Sequence, residues 1–489
     1  MFFLIPVVVA IIVVFAAILD GCAGRFAGAS INESYVAGGA ETNQPLPPPM
    51  VTIEDITGYL PYDPEAPKIY ENHHIGQRKL FLNELQFITR EARLNEPALV
   101  VYAGGAPSNK IALLAELCPN ILFLLVDPNP FNVFPPTYWN KASPYGPDTS
   151  LPKTLISATS SGGLTHPRII QAMKETREVY DGLVDKHRSG SLFAPADPRL
   201  RVLLVNTIYT PEHSVALREV FPEEKIYFMS DIRTNIESTL FPGDIDLVWN
   251  IAQQYIWSSL LKSESTMMKW KHPWYDDNSS FDVEDIIPMI AADFKIAAEG
   301  KYVSESGVEY SIPKIDFVGD FQAKVLRYPV GDVFIQPWAG SKSTETRLVF
   351  KRDAPVIQHM PAVDYDAKLF WYNRVGRAGP RKNPAIPKNP RGKLAEKIKD
   401  LHIDNCNDCA LEAHIWSEYL AARPKEMGQA PSVYSLISSL IAATHGRQLH
   451  PPMDELKKAY LAKWRQVAAN AQNKTKQSNF KKSSDKHAQ

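Results

Sequence analysis

"ALVVYAGGAPSNKIALLAEL", residues 98–117, decides the fold. An apolar run reaches Gly104 and Gly105, and "KIALLAEL" (110–117) follows with helical spacing. A buried strand that turns on glycines into a helix has this form. "ILFLLVD" (121–127) repeats the strand and ends on an acid. Further apolar runs stand at "RVLLVNT" (201–207), "KIYFMSD" (225–231), "DLVWNIA" (246–252), "DVFIQPW" (332–338) and "TRLVF" (346–350). Each is read as a strand. Phe81, Leu85, Ile88 and Ala92 mark one helical face, and "RIIQAMKETREVYDGLV" (168–184) another helix. Strands alternating with helices predict an α/β chain with a doubly wound, mostly parallel sheet.

In such sheets a ligand lies beyond the strand ends, where glycines let the backbone approach it closely. Asp127 ends the second strand, 22 residues after Gly105. An acid there suits the hydroxyls of a ribose. The glycines do not follow G-x-G-x-x-G, so a dinucleotide fingerprint is absent. Gly104-Gly105-Ala106-Pro107 replaces a phosphate-cradling loop and favours S-adenosylmethionine, which carries ribose and adenine without phosphate. The alternative is an ordinary strand–helix turn.

The 489 residues suffice for two domains or one large one, and the formal net charge of −1 does not by itself call for nucleic acid. The charge is uneven. Residues 374–400 hold nine Lys/Arg against two acids, and 454–489 hold nine against three. Such blocks are solvated faces or polyanion contacts. Four cysteines exclude a disulfide framework. Cys406 and Cys409 form C-x-x-C near His402 and His414, but no second pair exists and the segment reads as a helix, so no metal is assigned.

"FFLIPVVVAIIVVFAAIL" (2–19) is an uncharged apolar run that just reaches bilayer length. It is read as an anchor, with a cleaved signal as the alternative. Arg25 after it would leave the bulk of the chain cytoplasmic. The expected organisation is a hydrophobic helix at 1–24, a Pro-rich linker at 25–54 and an α/β domain at 55–380. An insertion is expected at about 137–198, a helical extension at 381–471 and a basic disordered tail at 472–489.

Several motifs, in order and spacing, resemble one family. They are "YDPEA" (62–66), "GQRKLFLNEL" (76–85), "VVYAGGAPSNKI" (100–111), "FLLVDPNP" (123–130) and "MSDIRT" (229–234). "MMKWKHPW" (267–274), "IQPWAGSKSTETRL" (335–348) and "DYDAKLFWYNRV" (364–375) continue the series. The family is the poxvirus-type cap-specific mRNA (nucleoside-2'-O-)-methyltransferase, which doubles as the small regulatory subunit of poly(A) polymerase. The resemblance covers roughly residues 56–375. It implies a Rossmann-like S-adenosylmethionine-dependent methyltransferase fold acting on capped viral mRNA.

The family's catalytic set falls on Lys79, Asp231, Lys269 and Glu345. A ribose 2'-hydroxyl is a poor nucleophile, so it must be aligned with the methyl group and relieved of a proton. The resemblance gives that role to Lys269, with Asp231 and Glu345 orienting it and Lys79 completing the charge balance. It carries Gln77, Gly104, Gly105, Ala106, Pro107, Asp127 and Asp231 over to the cofactor. It carries Tyr62 and Trp274 to stacking on 7-methylguanine, and Asp276 and Asp366 to the base edge. Ser108 stands where the family has glycine, which is tolerated only at negative φ. Taken singly, these residues also read as surface lysines, a helix cap, a salt bridge and a core tryptophan. Implied partners are capped mRNA, a viral poly(A) polymerase catalytic subunit and, through residues 2–19, a membrane. The implied location is host cytoplasm, at the virus factory, or the virion. Two other readings stay open: a non-catalytic RNA-binding subunit, and an anchored virion protein with degenerate chemistry.

Overall fold

The computed structural model describes residues 45–67, 76–108, 110–133, 152–157, 165–191, 197–234, 243–274, 288–356 and 358–444. The expected hydrophobic helix at 1–24 and the basic tail at 472–489 lie outside them. Among the described residues no helix is long and apolar enough to cross a membrane.

The strands are β1 (Ala98–Ala103), β2 (Ile121–Val126), β3 (Lys153–Ile156), β4 (Val202–Val205), β5 (Ile226–Ser230) and β6 (Ser265–Trp270). They continue with β7 (Lys301–Val303), β8 (Glu309–Ser311), β9 (Val325–Tyr328), β10 (Gly331–Phe334), β11 (Thr346–Lys351) and β12 (Gln358–Pro361). The helices begin with α1 (Gly76–Glu91), α2 (Ile111–Leu117), α3 (His166–Arg188), α4 (Pro211–Val220), α5 (Asp244–Leu261) and α6 (Pro288–Glu299). α7 (Phe317–Gln322), α8 (Ala362–Arg374), α9 (Lys393–Asp400), α10 (Asn407–Ala422) and α11 (Val433–Ala443) complete them.

Eight strands form the central sheet in the order β10-β11-β6-β5-β1-β2-β4-β3. From β3 to β6 all pairs are parallel, whereas β11 runs antiparallel to β6 and β10 antiparallel to β11. Every residue of β1, β2, β4 and β5 is buried. Continuous apolar runs of this kind belong to parallel strands covered on both faces. The chain leaves β1 for β2 on one side and returns to its other side at β5, so a topological switch lies between β1 and β5. Ligand crevices form at such switches, beyond the carboxyl ends of the strands.

Three expectations are corrected. "DLVWNIA" is not a strand but part of α5. This helix is buried around most of its circumference, so the polar stripe that betrays a surface helix is missing. "DVFIQPW" is strand only to Phe334; beyond it Pro337 lacks a ladder donor and Trp338 has φ +63°. The end of the supposed linker is core. Met50 and Ile53 are buried, and Ile335 N–H donates to the Val51 carbonyl.

Within 137–198 the described residues supply the edge strand β3 and helix α3, which packs on α4. The region after 380 shares the main core rather than standing apart. The Trp416 and Phe81 rings lie 5.8 Å apart, and the buried Arg78 guanidinium reaches Glu412 at 2.5 Å. Of the basic block at 374–400, Arg374 and Arg377 are buried, while Lys382, Lys388, Arg391, Lys393, Lys397 and Lys399 are exposed.

His213, fully buried in α4, accepts the Thr210 N–H at Nδ1 (3.2 Å). Burial pushes its imidazole down to about 3. The unfolded chain takes up that proton near pH 6.5. The stability gained by keeping His213 neutral is therefore complete above about pH 6.5 and is lost as pH falls toward 3. His213→Asn should flatten the pH dependence of the unfolding free energy in this window, by up to ~1.4 kcal/mol per pH unit. Denaturant titrations between pH 4 and 7 measure it. An unchanged slope would contradict it.

Candidate active site

Lys79, Asp231, Lys269 and Glu345 converge at the carboxyl end of the sheet. β5 stops at Ser230, and the Asp231 N–H donates to the Ala103 carbonyl (3.0 Å), which seats Asp231 at the end of β1. Lys269 is the penultimate residue of β6, and Glu345 immediately precedes β11. Because β11 is antiparallel to β6, its start lies beside the end of β6. Lys79 comes from the first turn of α1. Lys269 Nζ is 3.2 Å from Asp231 Oδ1 and 3.4 Å from Glu345 Oε2. Lys79 Nζ is 3.1 Å from Glu345 Oε1.

Two arginines complete the cluster. Arg347 Nη2 lies 2.8 Å from Asp231 Oδ1 and Arg347 Nη1 3.4 Å from Glu345 Oε1, with the side chain almost wholly buried. Arg233 Nη2 lies 3.1 Å from Glu345 Oε2. Both stand inside motifs quoted above, MSDIRT and STETRL, two residues beyond Asp231 and Glu345. A count of cations against acids in those motifs was the available signal. Four cations face two carboxylates, which leaves positive charge in excess. Burial raises the carboxyls of Asp231 and Glu345, but Lys269 leads the cations that overcome it and hold both below their usual range. Burial, aided by Arg347 and Lys269 against Glu345, lowers the Lys79 ammonium.

Gln254 of α5, fully buried, is a further part that no pattern announces. The Lys269 N–H donates to Gln254 Oε1 (2.9 Å), and Gln254 Nε2 donates to the Lys269 carbonyl (3.2 Å). β5 pairs with β6 only as far as Ser230–Met268. The amide thus continues the ladder for one residue and fixes the backbone that carries Lys269.

Beside this cluster lies the glycine turn. Gly104 has φ +78°, and a Cβ there would meet Ile232 N at 2.8 Å and Asp231 C at 3.0 Å. The close approach of the two strand ends therefore requires glycine. Asp127 Oδ2 accepts the Ala106 N–H (3.1 Å), and its Oδ1 accepts Asn129 N–H (2.8 Å) and Nδ2 (3.0 Å). A carboxylate offers about four acceptor sites, so room remains for a ribose hydroxyl. Gln77 Oε1 meets Lys110 Nζ at 3.5 Å, and Lys110 pairs with the buried Glu84 at 3.0 Å. Ser108 has φ +50° and is fully buried, with no hydrogen-bond partner for its Oγ. The condition of negative φ is not met. A non-glycine residue in this conformation carries about 1–2 kcal/mol of strain.

A second cluster adjoins the first. The Tyr62 ring packs on Trp274 (4.6 Å, tilted 50°) and on Phe370 (5.0 Å). Asp366, Phe370 and Arg374 recur every four residues on α8 and so share one face. Trp274 is 39% exposed, so it is not a core tryptophan. Its backbone N–H donates to Asp244 Oδ1 (2.6 Å). Lys271 Nζ lies 3.2 Å from the centre of the Trp274 ring. Burial raises the Asp366 carboxyl to about 6 against the pull of Lys271. Burial lowers the Lys271 ammonium to about 7 against the pull of Asp366. The Tyr62 and Trp274 rings touch, so a base between them requires the two to part by roughly one further stacking distance. Asp276 lies outside the described residues.

Donor atoms of Asp404, Cys406 and Cys409 lie within 4.8 Å of one another. Cys406 Sγ caps α10 by accepting the Cys409 N–H (3.4 Å), and Asp404 Oδ1 accepts the Cys406 N–H (2.6 Å). Three donors that serve a helix cap fall short of the four a structural zinc site needs. The chain matches no protein-family model.

Replacing Gln254 by Leu would leave the Lys269 N–H and carbonyl without these partners, at about 1–3 kcal/mol for each buried group. Gln254→Leu is expected to lose at least about 2 kcal/mol in denaturant unfolding. Unaltered stability would mean that the amide does not hold the strand.

Proposed function

We propose that the chain transfers a methyl group from S-adenosylmethionine to the ribose 2'-hydroxyl of the first transcribed nucleotide of capped RNA. The observation that carries this reading is the convergence of Lys79, Asp231, Lys269 and Glu345 in one ion-paired cluster against Gly104. The cofactor would supply an activated methyl group. Gln77, the Gly104–Pro107 turn, Asp127 and Asp231 would hold it in the switch-point crevice.

Lys269 is held between Asp231 and Glu345, which directs its Nζ and leaves a donor for the incoming hydroxyl. It is the group assigned to polarise or deprotonate that hydroxyl. The cations in excess of the carboxylates favour the oxyanion that develops there. Arg347 and Arg233 fix the two carboxylates. Tyr62 and Trp274 would stack the cap base, with Asp366 and Asp276 accepting from its edge. The exposed cations at 382–399 would meet the RNA backbone.

The test is methyl transfer by the full chain to capped and uncapped RNA. Capped RNA should be the better substrate, and Lys269→Ala should lower turnover by about 10²-fold or more. No transfer, or full activity in the variant, would overturn the reading. Trp274→Ala should weaken capped-RNA binding by about 1–3 kcal/mol and spare S-adenosylmethionine binding; equal losses would make Trp274 structural. Binding of the cap analogue 7-methylguanosine triphosphate should weaken as pH falls through about 6, where Asp366 takes up a proton and ceases to accept. Asp366→Asn should remove that step, and its persistence in the variant would exclude Asp366.

A further inference from the structure

Lys110 follows the glycine turn, directly before α2, and only 1% of it is exposed. A buried ammonium needs a counter-charge. Glu84 of α1, itself fully buried, provides it: Glu84 Oε1 takes Lys110 Nζ at 3.0 Å and the Tyr102 hydroxyl at 2.7 Å. Tyr102 belongs to β1 and stands two residues before Gly104. The ammonium is thus held from α1 and β1 together, and it also donates to Gln77 Oε1, 3.5 Å away. Gln77 and Glu84 are two turns apart on α1 and share one face, with Lys110 against both. We propose that Lys110 is a positioning residue for the cofactor. It turns the Gln77 amide so that Nε2 donates to the carboxylate at the methionyl end of S-adenosylmethionine. This rests on the cofactor reading of the same turn.

Three observations support it. First, an ammonium carries donors only, so of the two amide atoms only Oε1 can face it. The reverse rotamer would set one donor against another, and Gln77 therefore has a single orientation. Second, the outward atom is left open. Among the described residues Gln77 Nε2 meets no acceptor, and it is not buried. Third, Gln77 shares the first turn of α1 with Lys79 of the charge cluster, which sets it on the reacting side of the cofactor. Of the groups at the methionyl end the ammonium only donates and the carboxylate only accepts. The amide N–H group therefore selects the carboxylate.

The experiment is calorimetric titration of the full chain with S-adenosylhomocysteine, which has the amino-acid end, and with 5'-deoxy-5'-methylthioadenosine, which lacks it. Lys110→Met alone would strand the buried charge of Glu84, so it is combined with Glu84→Gln. The double variant should bind S-adenosylhomocysteine about tenfold more weakly than the parent, and methylthioadenosine within about twofold of it. In a chain that already carries Gln77→Ala the same two substitutions should cost nothing further, because the groups act in series. A purely structural role would weaken both ligands alike and would add to the loss in Gln77→Ala.

Undiminished S-adenosylhomocysteine binding, equal losses for the two ligands, or additive losses overturn the role of Lys110 and leave the cofactor reading in place. Binding of neither ligand by the parent sinks the cofactor reading and the proposal with it. Circular dichroism checks that each variant keeps its fold. Should the double variant lose it, Gln77→Glu carries the test. Its carboxylate accepts from Lys110 as Oε1 does, but it presents an acceptor in place of Nε2. Gln77→Glu should keep the parent's stability in denaturant unfolding, bind S-adenosylhomocysteine about tenfold more weakly and leave methylthioadenosine binding unchanged. S-adenosylhomocysteine binding equal to the parent's would overturn the proposal.

Discussion

Lys269 and Arg347 are register partners on neighbouring antiparallel strands, two like charges set face to face. Such a pair is destabilising by itself. Asp231 resolves it by lying 3.2 Å from one and 2.8 Å from the other, and Glu345 bridges them a second time at 3.4 Å to each. Each carboxylate thereby holds together elements distant in sequence. Asp231 joins β5 to β6 and β11, and Glu345 joins β11 to α1 through Lys79. Removing either acid would strand buried cations, at a cost of several kcal/mol. The geometry of the site and the integrity of this end of the sheet are therefore one constraint.

The same constraint orders the neighbouring features. Asp231 can reach β6 and β11 because it follows β5 directly, and its backbone presses on Gly104 so closely that only glycine fits. The glycine turn, the acid at the end of β2 and the charge cluster thus share one edge of the switch between β1 and β5. Lys269 and Trp274 are five residues apart, so the segment that ends β6 carries both the cluster and the aromatic patch. A shift in β6 register would move both together, and Gln254 opposes such a shift by extending the ladder past the end of β5.

Much of this was legible in the sequence, and what was not has physical causes. Continuous apolar runs marked β1, β2, β4 and β5 because parallel strands are buried on both faces. The same signal misled at 246–252, where α5 is buried nearly all round and shows no polar stripe. β6 escaped because its apolar run is short and interrupted by Lys269, a charge tolerated only because partners from other elements surround it. The four cluster residues came from motif order. Arg347 and Arg233 stood in those motifs, but their role depends on β11 being antiparallel to β6. Gln254 lies within a helix whose sequence gives no sign that one amide will cap a strand. Ser108 shows the converse: the sequence posed the question of its φ, and only the backbone answers it.

The most direct measurement of the central claim is the position of the methyl group in the product. Capped RNA treated with the full chain and S-adenosylmethionine is digested to nucleosides and weighed by mass spectrometry. A single methyl group on the ribose of the first transcribed nucleotide is the expected result. A methyl group on a base, or none at all, would contradict the assignment of the Asp231–Lys269–Glu345 cluster to 2'-O-methyl transfer.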